Sequence, residues 1–320
     1  MKFSVIIPLY NKAPYVVKAI NSVLNQSFAS YELVIMDDGS KDDSFDVARQ
    51  TIQGHHHCHL YRQQNKGVSV ARNNGVAFSQ GEYICFLDAD DWWEPTFLEE
   101  MSKFVDAFPD AGIYGTNYTI INETKRKTRI ANVGIEEGFD KGYINYCKVY
   151  AKTLIMPLTS ISVAVPRTVF DEMQGFPPNI TLGEDFMLWI RIALKYKVAF
   201  LNKPLAYYNQ DVNAVNRGVG RLHDPQHHML WNLGFLSGEE RTNSDYKQLI
   251  DNLRTYELLP FFLSEEYHDA AVKELAKVDW KMQSEHMSRQ YQRPLFALRA
   301  ENRVRKLGSL GKQWLFRVLK

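Results

Sequence analysis

The chain has no run of about 18 apolar residues, the length a membrane-spanning helix requires, and its opening "MKFSVIIPLYNK" carries too short an apolar stretch for a signal peptide before Pro8 and Asn11 intervene. Cysteine is scarce: Cys58, Cys85 and Cys147 stand far apart with no CxxC pair, so neither a disulfide framework nor a zinc knuckle is written here. An excess of either charge is also missing. With 38 basic and 37 acidic residues the formal balance is +1, which argues against a nucleic-acid binder. No internal repeat or low-complexity tract interrupts the 320 residues. At 45% hydrophobic content the chain can bury a large core. These absences leave a protein of the reducing cytoplasm, free or attached to the inner face of a membrane.

What is present is an alternation. "FSVIIPL" (3–9), "YELVIMD" (31–37), "CHLYRQ" (58–63) and "EYICFLD" (82–88) read as strands, being apolar runs bounded by turn residues. Between them, 13–26, 42–52 and 68–79 place apolar residues at helical spacing. The order βαβαβαβ predicts a parallel sheet with ligands at the carboxyl ends of its strands. "PLYN", "DDGS" and "DADD" all fall at such ends and are expected to face one crevice. Beyond residue 110 the pattern predicts strands at 112–121, 127–133 and 160–165, a helix near 140–150 and an amphipathic helix over 183–196. From about 220 onward only helices are expected, over 244–263 and 267–283.

Three carboxylates, Asp88, Asp90 and Asp91, crowd into four residues of "FLDADDWW". Asp91 has the position of a cap for a helix beginning in "WWEPTFLEE". A D-x-D pair supplies oxygen donors only, which suits Mg²⁺ or Mn²⁺ with coordination places left for phosphate. Spacing alone does not separate the two readings. An EF-hand is excluded, since residues 92 and 93 are both Trp. A second acidic pair, Glu184–Asp185, opens the 183–196 helix, where its simplest reading is compensation of the helix dipole. Trp189, one turn on, suits either sugar stacking or the core. The run "HHHCH" (55–59) does not converge on one ion, because neighbours in an extended segment point to opposite sides.

Taken together, "SVIIPLYN" (4–11), "MDDGSKDDS" (36–44), "QNKGVSVARNNG" (64–75), "YICFLDADDWWEP" (83–95) and "VPRTVFDEMQGFPPNITLGEDFMLWIRIAL" (165–194) resemble family 2 glycosyltransferases of the GT-A fold. The resemblance covers roughly residues 3 to 210. It implies a Rossmann-like nucleotide-binding half with a mixed central sheet, followed by a helical C-terminal region. The expected limits are 1–110 for the nucleotide-sugar half, 111–215 for the acceptor half, 216–291 for the helical region and 292–320 for a basic tail.

The same resemblance implies roles. Pro8 and Tyr10 would line the nucleoside pocket and Asp38 would accept from the base. Lys66 and Arg72 would offer cations to the diphosphate, and Asp88 would approach the ribose. Asp90 would ligate Mn²⁺ or Mg²⁺, Asp185 would be the general base, and Glu184 would orient it or touch the acceptor. Relatives that complete the metal shell with a histidine after the acceptor helix differ here: residues 207–223 offer Gln210 and Asp211, and His223 comes late. Without a Q-x-x-R-W motif, one sugar per encounter is expected. The implied activity is inverting transfer from a nucleotide-sugar, UDP-linked by expectation, to a glycan or lipid-linked acceptor. A sugar-nucleotide-binding scaffold and a nucleotidyltransferase are the alternatives.

The last 28 residues, from Arg293, hold eight basic side chains and one acid, interleaved with Leu, Phe, Val and Trp. That composition suits an interfacial helix on anionic lipid, or a helix packed on the protein itself.

Overall fold

The computed structural model describes residues 1–122, 124–211 and 222–303. The chain divides into two compact units, Met1–Gly238 and Glu239–Lys320. In the first, β1 (Phe3–Leu9), α1 (Val16–Leu24), β2 (Tyr31–Asp37), α2 (Ser44–Thr51), β3 (Cys58–Arg62), α3 (Val68–Ala77) and β4 (Tyr83–Phe86) follow the expected alternation. The four strands are parallel, in the order β3-β2-β1-β4. All seven residues of β2 are buried, as a parallel strand covered on both faces requires. Helix α1 buries Val16, Ala19, Ile20 and Val23, its i, i+3, i+4, i+7 stripe.

The remaining strands make the sheet mixed. They are β5 (Trp92–Trp93), β6 (Ala111–Asn122), β7 (Lys127–Ile130), β8 (Lys141–Ile144), β9 (Val163–Pro166) and β10 (Lys197–Asn209). β9 runs antiparallel between β4 and β6, β10 lies parallel to β6, and β5 closes the path antiparallel to β10. Helices α4 (Phe97–Ala107), α5 (Tyr146–Thr153), α6 (Arg167–Glu172) and α7 (Glu184–Lys195) complete this unit's regular helices up to residue 195.

Several expectations shift. The helix expected near 140–150 begins only at Tyr146, where Asn145 caps it by accepting from Lys148 N, and 141–144 is strand β8. The strand expected at 160–165 starts with a 3₁₀ turn, Ser160–Ser162. β10 was not anticipated, because Lys203 and Pro204 break its apolar alternation; the strand accommodates them with register shifts around Leu201, Pro204 and Ala206.

The second unit is helical as described: α8 (Ser237–Thr242) leads into it, followed by α9 (Ser244–Glu257), α10 (Leu259–Leu263), α11 (His268–Leu275) and α12 (Glu285–Gln292). The helix expected over 244–263 is therefore two, and that over 267–283 ends at Leu275. Of the basic tail, residues 304–320 lie outside the described residues. Its described beginning packs on its own unit, with Leu298 buried and Arg299 donating to the carbonyls of Leu263 and Ser264. Among the described residues no helix is long and apolar enough to cross a membrane.

At the entry edge of the parallel strands, Gly81 N donates to Ser4 Oγ (2.7 Å) and Glu32 Oε1 (3.0 Å). A Cβ at this position would stand 2.5 Å from Ser4 N. Gly81→Ala is expected to cost about 1–3 kcal/mol or more of stability by overpacking against backbone, read as a lower urea midpoint at unchanged slope.

Candidate active site

The crevice lies where β1, β2 and β4 end. After β4, Leu87 N still donates to Ile6 O, and then Asp88 to Asp91 turn, with Asp91 N donating to Asp88 O at 3.0 Å. The two tryptophans that follow pair with Ala206 and Tyr207 of β10. That pairing pushes the next helix downstream: α4 starts at Phe97 behind Thr96. Asp91 is therefore not the helix cap expected from the sequence. It is buried and accepts from Asn209 N at 2.7 Å, fastening the end of β10 to the crevice. Burial, followed by the neighbouring Asp90 and Asp88, raises its carboxyl well above the usual range.

Each carboxylate of the turn has its own compensation. Asp88 Oδ1 meets Arg72 Nη2 at 2.8 Å, and Arg72 Nη1 meets Glu184 Oε1 at 2.9 Å. Arg72 is 4% exposed and lies over the Phe176 ring. Its burial opposes its charge, but Asp88 and Glu184 prevail and raise its pKa further. Arg72 thus joins the strand end to the start of α7 and is turned to carboxylates, not to open solvent. Asp90 pairs with Lys12, Nζ to Oδ2 2.6 Å. Burial raises the Asp90 carboxyl, Lys12 opposes this and Asp88 adds to it.

Gly183 opens α7 in the left-handed region, φ +82, and any Cβ there would meet Met229. Glu184 and Asp185 then form the first helical turn. Asp185 is half-buried, with Oδ1 accepting from Phe186 N at 2.7 Å. Burial and the adjacent Glu184, against the pull of Arg72, push its carboxyl up to about 7. Trp189 is fully buried against Phe176 and Phe86 and belongs to the core, which rules out stacking on a sugar.

On the other side of the crevice Tyr10 is exposed and Pro8 half-buried. Asp38 is buried, and its carboxylate accepts from Gln63 Nε2, Lys66 N and Gly67 N, all within 2.9 Å. It therefore shapes the loop into α3 and leaves little of its capacity for a ligand. Lys66 is exposed. Neighbouring Asp37 is structural, paired with Arg62 Nε at 3.0 Å.

Gln210 N donates to Ile121 O at the end of β6, and the Asp211 carboxylate accepts from Thr124 N just beyond that strand. His223 bonds to Thr181 Oγ1 through Nδ1, two residues before Gly183. Residues 212–221 of the segment expected to complete a cation's shell lie outside the described residues. Among the described residues no three His, Cys, Asp or Glu side chains stand together as a site for a metal ion. The oxygen-only donors of Asp88 and Asp90 fit a hard cation that arrives with oxygen ligands of its own. His57 packs edge-on against Tyr31 in the turn before β3. Sequence reasoning passed over Lys12, although its place after "PLYN" put it at the edge of the crevice.

The family model described as Glycosyl transferase family 2 matches residues 4–169, just over half of the chain. An uncharacterized glycosyltransferase of Rickettsia felis is 34% identical over 206 residues, covering 64% of this chain and 32% of that one. The match thus spans about a third of the length of that relative. The putative teichuronic acid biosynthesis glycosyltransferase TuaG of Bacillus subtilis is 30% identical over 215 residues, 67% of this chain and 81% of that one. Among solved structures, residues 1–349 of S. aureus TarS in complex with UDP-GlcNAc share the fold at a TM-score of 0.73 and 17% identity, covering 88% of this chain and 83% of that one. The crevice at the strand ends, the mixed sheet and the family match lead to one conclusion: the chain belongs to the family 2 glycosyltransferases of the GT-A fold.

Proposed function

We propose that the protein is an inverting, metal-dependent, non-processive glycosyltransferase that moves a sugar from a UDP-sugar to a hydroxyl of a cell-surface glycan or lipid-linked acceptor. The observation that carries this reading is one buried guanidinium, Arg72, that joins Asp88 of the D-x-D turn to Glu184, the neighbour of Asp185. TuaG, by its name, and TarS, by its bound UDP-GlcNAc, support the substrate class.

In this mechanism Tyr10 and Pro8 hold the base, Asp38 fixes the loop beside it, and Asp88 faces the ribose. Lys66 and Arg72 would offer cations to the diphosphate, with Arg72 also keeping Asp88 and Glu184 in register. Asp90 would hold Mn²⁺ or Mg²⁺, which when bound neutralises charge on the leaving diphosphate. Asp185 takes the proton of the acceptor hydroxyl as that oxygen attacks the anomeric carbon. The bond from that carbon to the β-phosphate oxygen breaks on the opposite face, so configuration inverts. A carboxyl raised toward 7 by burial is a better base for a hydroxyl than an ordinary aspartate. Glu184, held by Arg72, orients this base.

Asp90→Asn and Asp185→Asn are each expected to abolish donor turnover, measured as UDP release with acceptor present. Unchanged turnover in both would leave a binding scaffold, and pyrophosphate release from a nucleoside triphosphate would reveal a nucleotidyltransferase. The pH dependence follows from Asp185. Below about 7 the carboxyl is protonated and cannot accept, so kcat/KM is expected to fall about tenfold per pH unit on the acid side. A flat profile from pH 5 to 8 would remove Asp185 as the base.

The basic tail is proposed to hold the protein on anionic lipid, where a lipid-linked acceptor is presented. Vesicles containing phosphatidylglycerol are expected to bind the full chain in a salt-sensitive way and to release a chain ending at residue 290. Equal binding by both would rule this out.

A further inference from the structure

Asp90 already carries a cation that belongs to the chain. Lys12 Nζ lies 2.6 Å from Asp90 Oδ2, and the two side chains are only 14% and 17% exposed. The loop that delivers Lys12 is pinned. Asn11 adopts a left-handed φ of 52, and its Oδ1 accepts from Lys41 N at 2.8 Å. Asn11 N donates to Ser40 Oγ, Lys12 N to Ser44 Oγ and Ala13 N to Asp42 Oδ2, at 3.1, 2.7 and 3.2 Å. Four hydrogen bonds thus fasten the loop after β1 to the loop after β2 and the first residue of α2, while the ammonium crosses to the turn after β4.

An ammonium and a hard divalent ion compete for the same carboxylate lone pairs, and two cations on one oxygen repel each other. We propose that Lys12 is a tethered counter-cation: it occupies Asp90 while the site is unloaded and is displaced when a divalent ion arrives with a nucleoside diphosphate. This rests on the reading of Asp90 as a metal ligand. A free ion must displace a charge held in place by the fold. An ion that comes with a diphosphate brings its own oxygen ligands and gives the freed ammonium a new anionic partner. Cation and nucleotide therefore bind with positive coupling, each strengthening the other.

The test is titration of Mn²⁺ into the full chain, followed by electron paramagnetic resonance of free Mn²⁺, with and without UDP. Lys12→Met keeps an apolar stem and removes the charge. Without UDP this variant is expected to bind Mn²⁺ about tenfold more tightly than the wild type, because the competing charge is gone. Lys12→Arg should stay weak, and with UDP the gap between Lys12→Met and wild type should narrow. Lys12→Gln, expected to show the same tightening, guards against a local folding defect in Lys12→Met. If neither neutral variant binds Mn²⁺ more tightly while UDP still promotes Mn²⁺ binding in the wild type, the role of Lys12 is overturned and Asp90 remains a ligand. If no protein binds Mn²⁺, with or without UDP, the metal reading of Asp90 falls and takes this proposal with it.

Discussion

One buried guanidinium ties the crevice together. Arg72 extends from the helix after β3, donates to Asp88 at the end of β4, and donates to Glu184 at the start of α7. These three elements come from separate parts of the sequence, and their carboxylates would repel one another without it. At an effective dielectric near 20, two like charges about 4 Å apart repel each other by about 4 kcal/mol, a sizeable fraction of a domain's stability. A bridging arginine with a planar fork satisfies both acids in one geometry, which a lysine's point charge would not do equally well. The position of Asp185, next to Glu184, depends on this bridge.

The crowded aspartates after β4 are tolerable for three different reasons. Asp88 has the shared arginine, Asp90 has the lysine of the loop after β1, and Asp91 has burial with a backbone N–H of β10. At Asp91 water supplies little of this, since that side chain is almost sealed from it. The arrangement also divides the acids by chemistry. Asp88 and Asp90 keep paired, partly accessible oxygens, whereas Asp91 sits in surroundings that favour its neutral form.

Legibility followed period and burial. The βαβ half was readable because its strands are apolar runs and its helices carry single stripes, as in α1 and β2. β10 was unreadable because a bulge around Pro204 interrupts its alternation, and β8 because none of its four residues is buried. Of the site, the carboxylate clusters and Arg72 stand out as chemistry in the sequence, while the link from Asp91 to Asn209 spans 118 residues and no local pattern announces it.

The sequence by itself determined the layout: parallel strands whose ends gather "PLYN", "DDGS" and "DADD", and an acidic pair at the head of an amphipathic helix. Alternation and turn residues are local properties and survive in one dimension. Only the tertiary structure decided which cation meets which carboxylate. Trp189 is sealed in the core, Asp38 is spent on the loop into α3, and Lys12 is paired with Asp90. The physical reason is that desolvation and Coulomb energy depend on distance and burial, and both are set only when remote segments close around the same space.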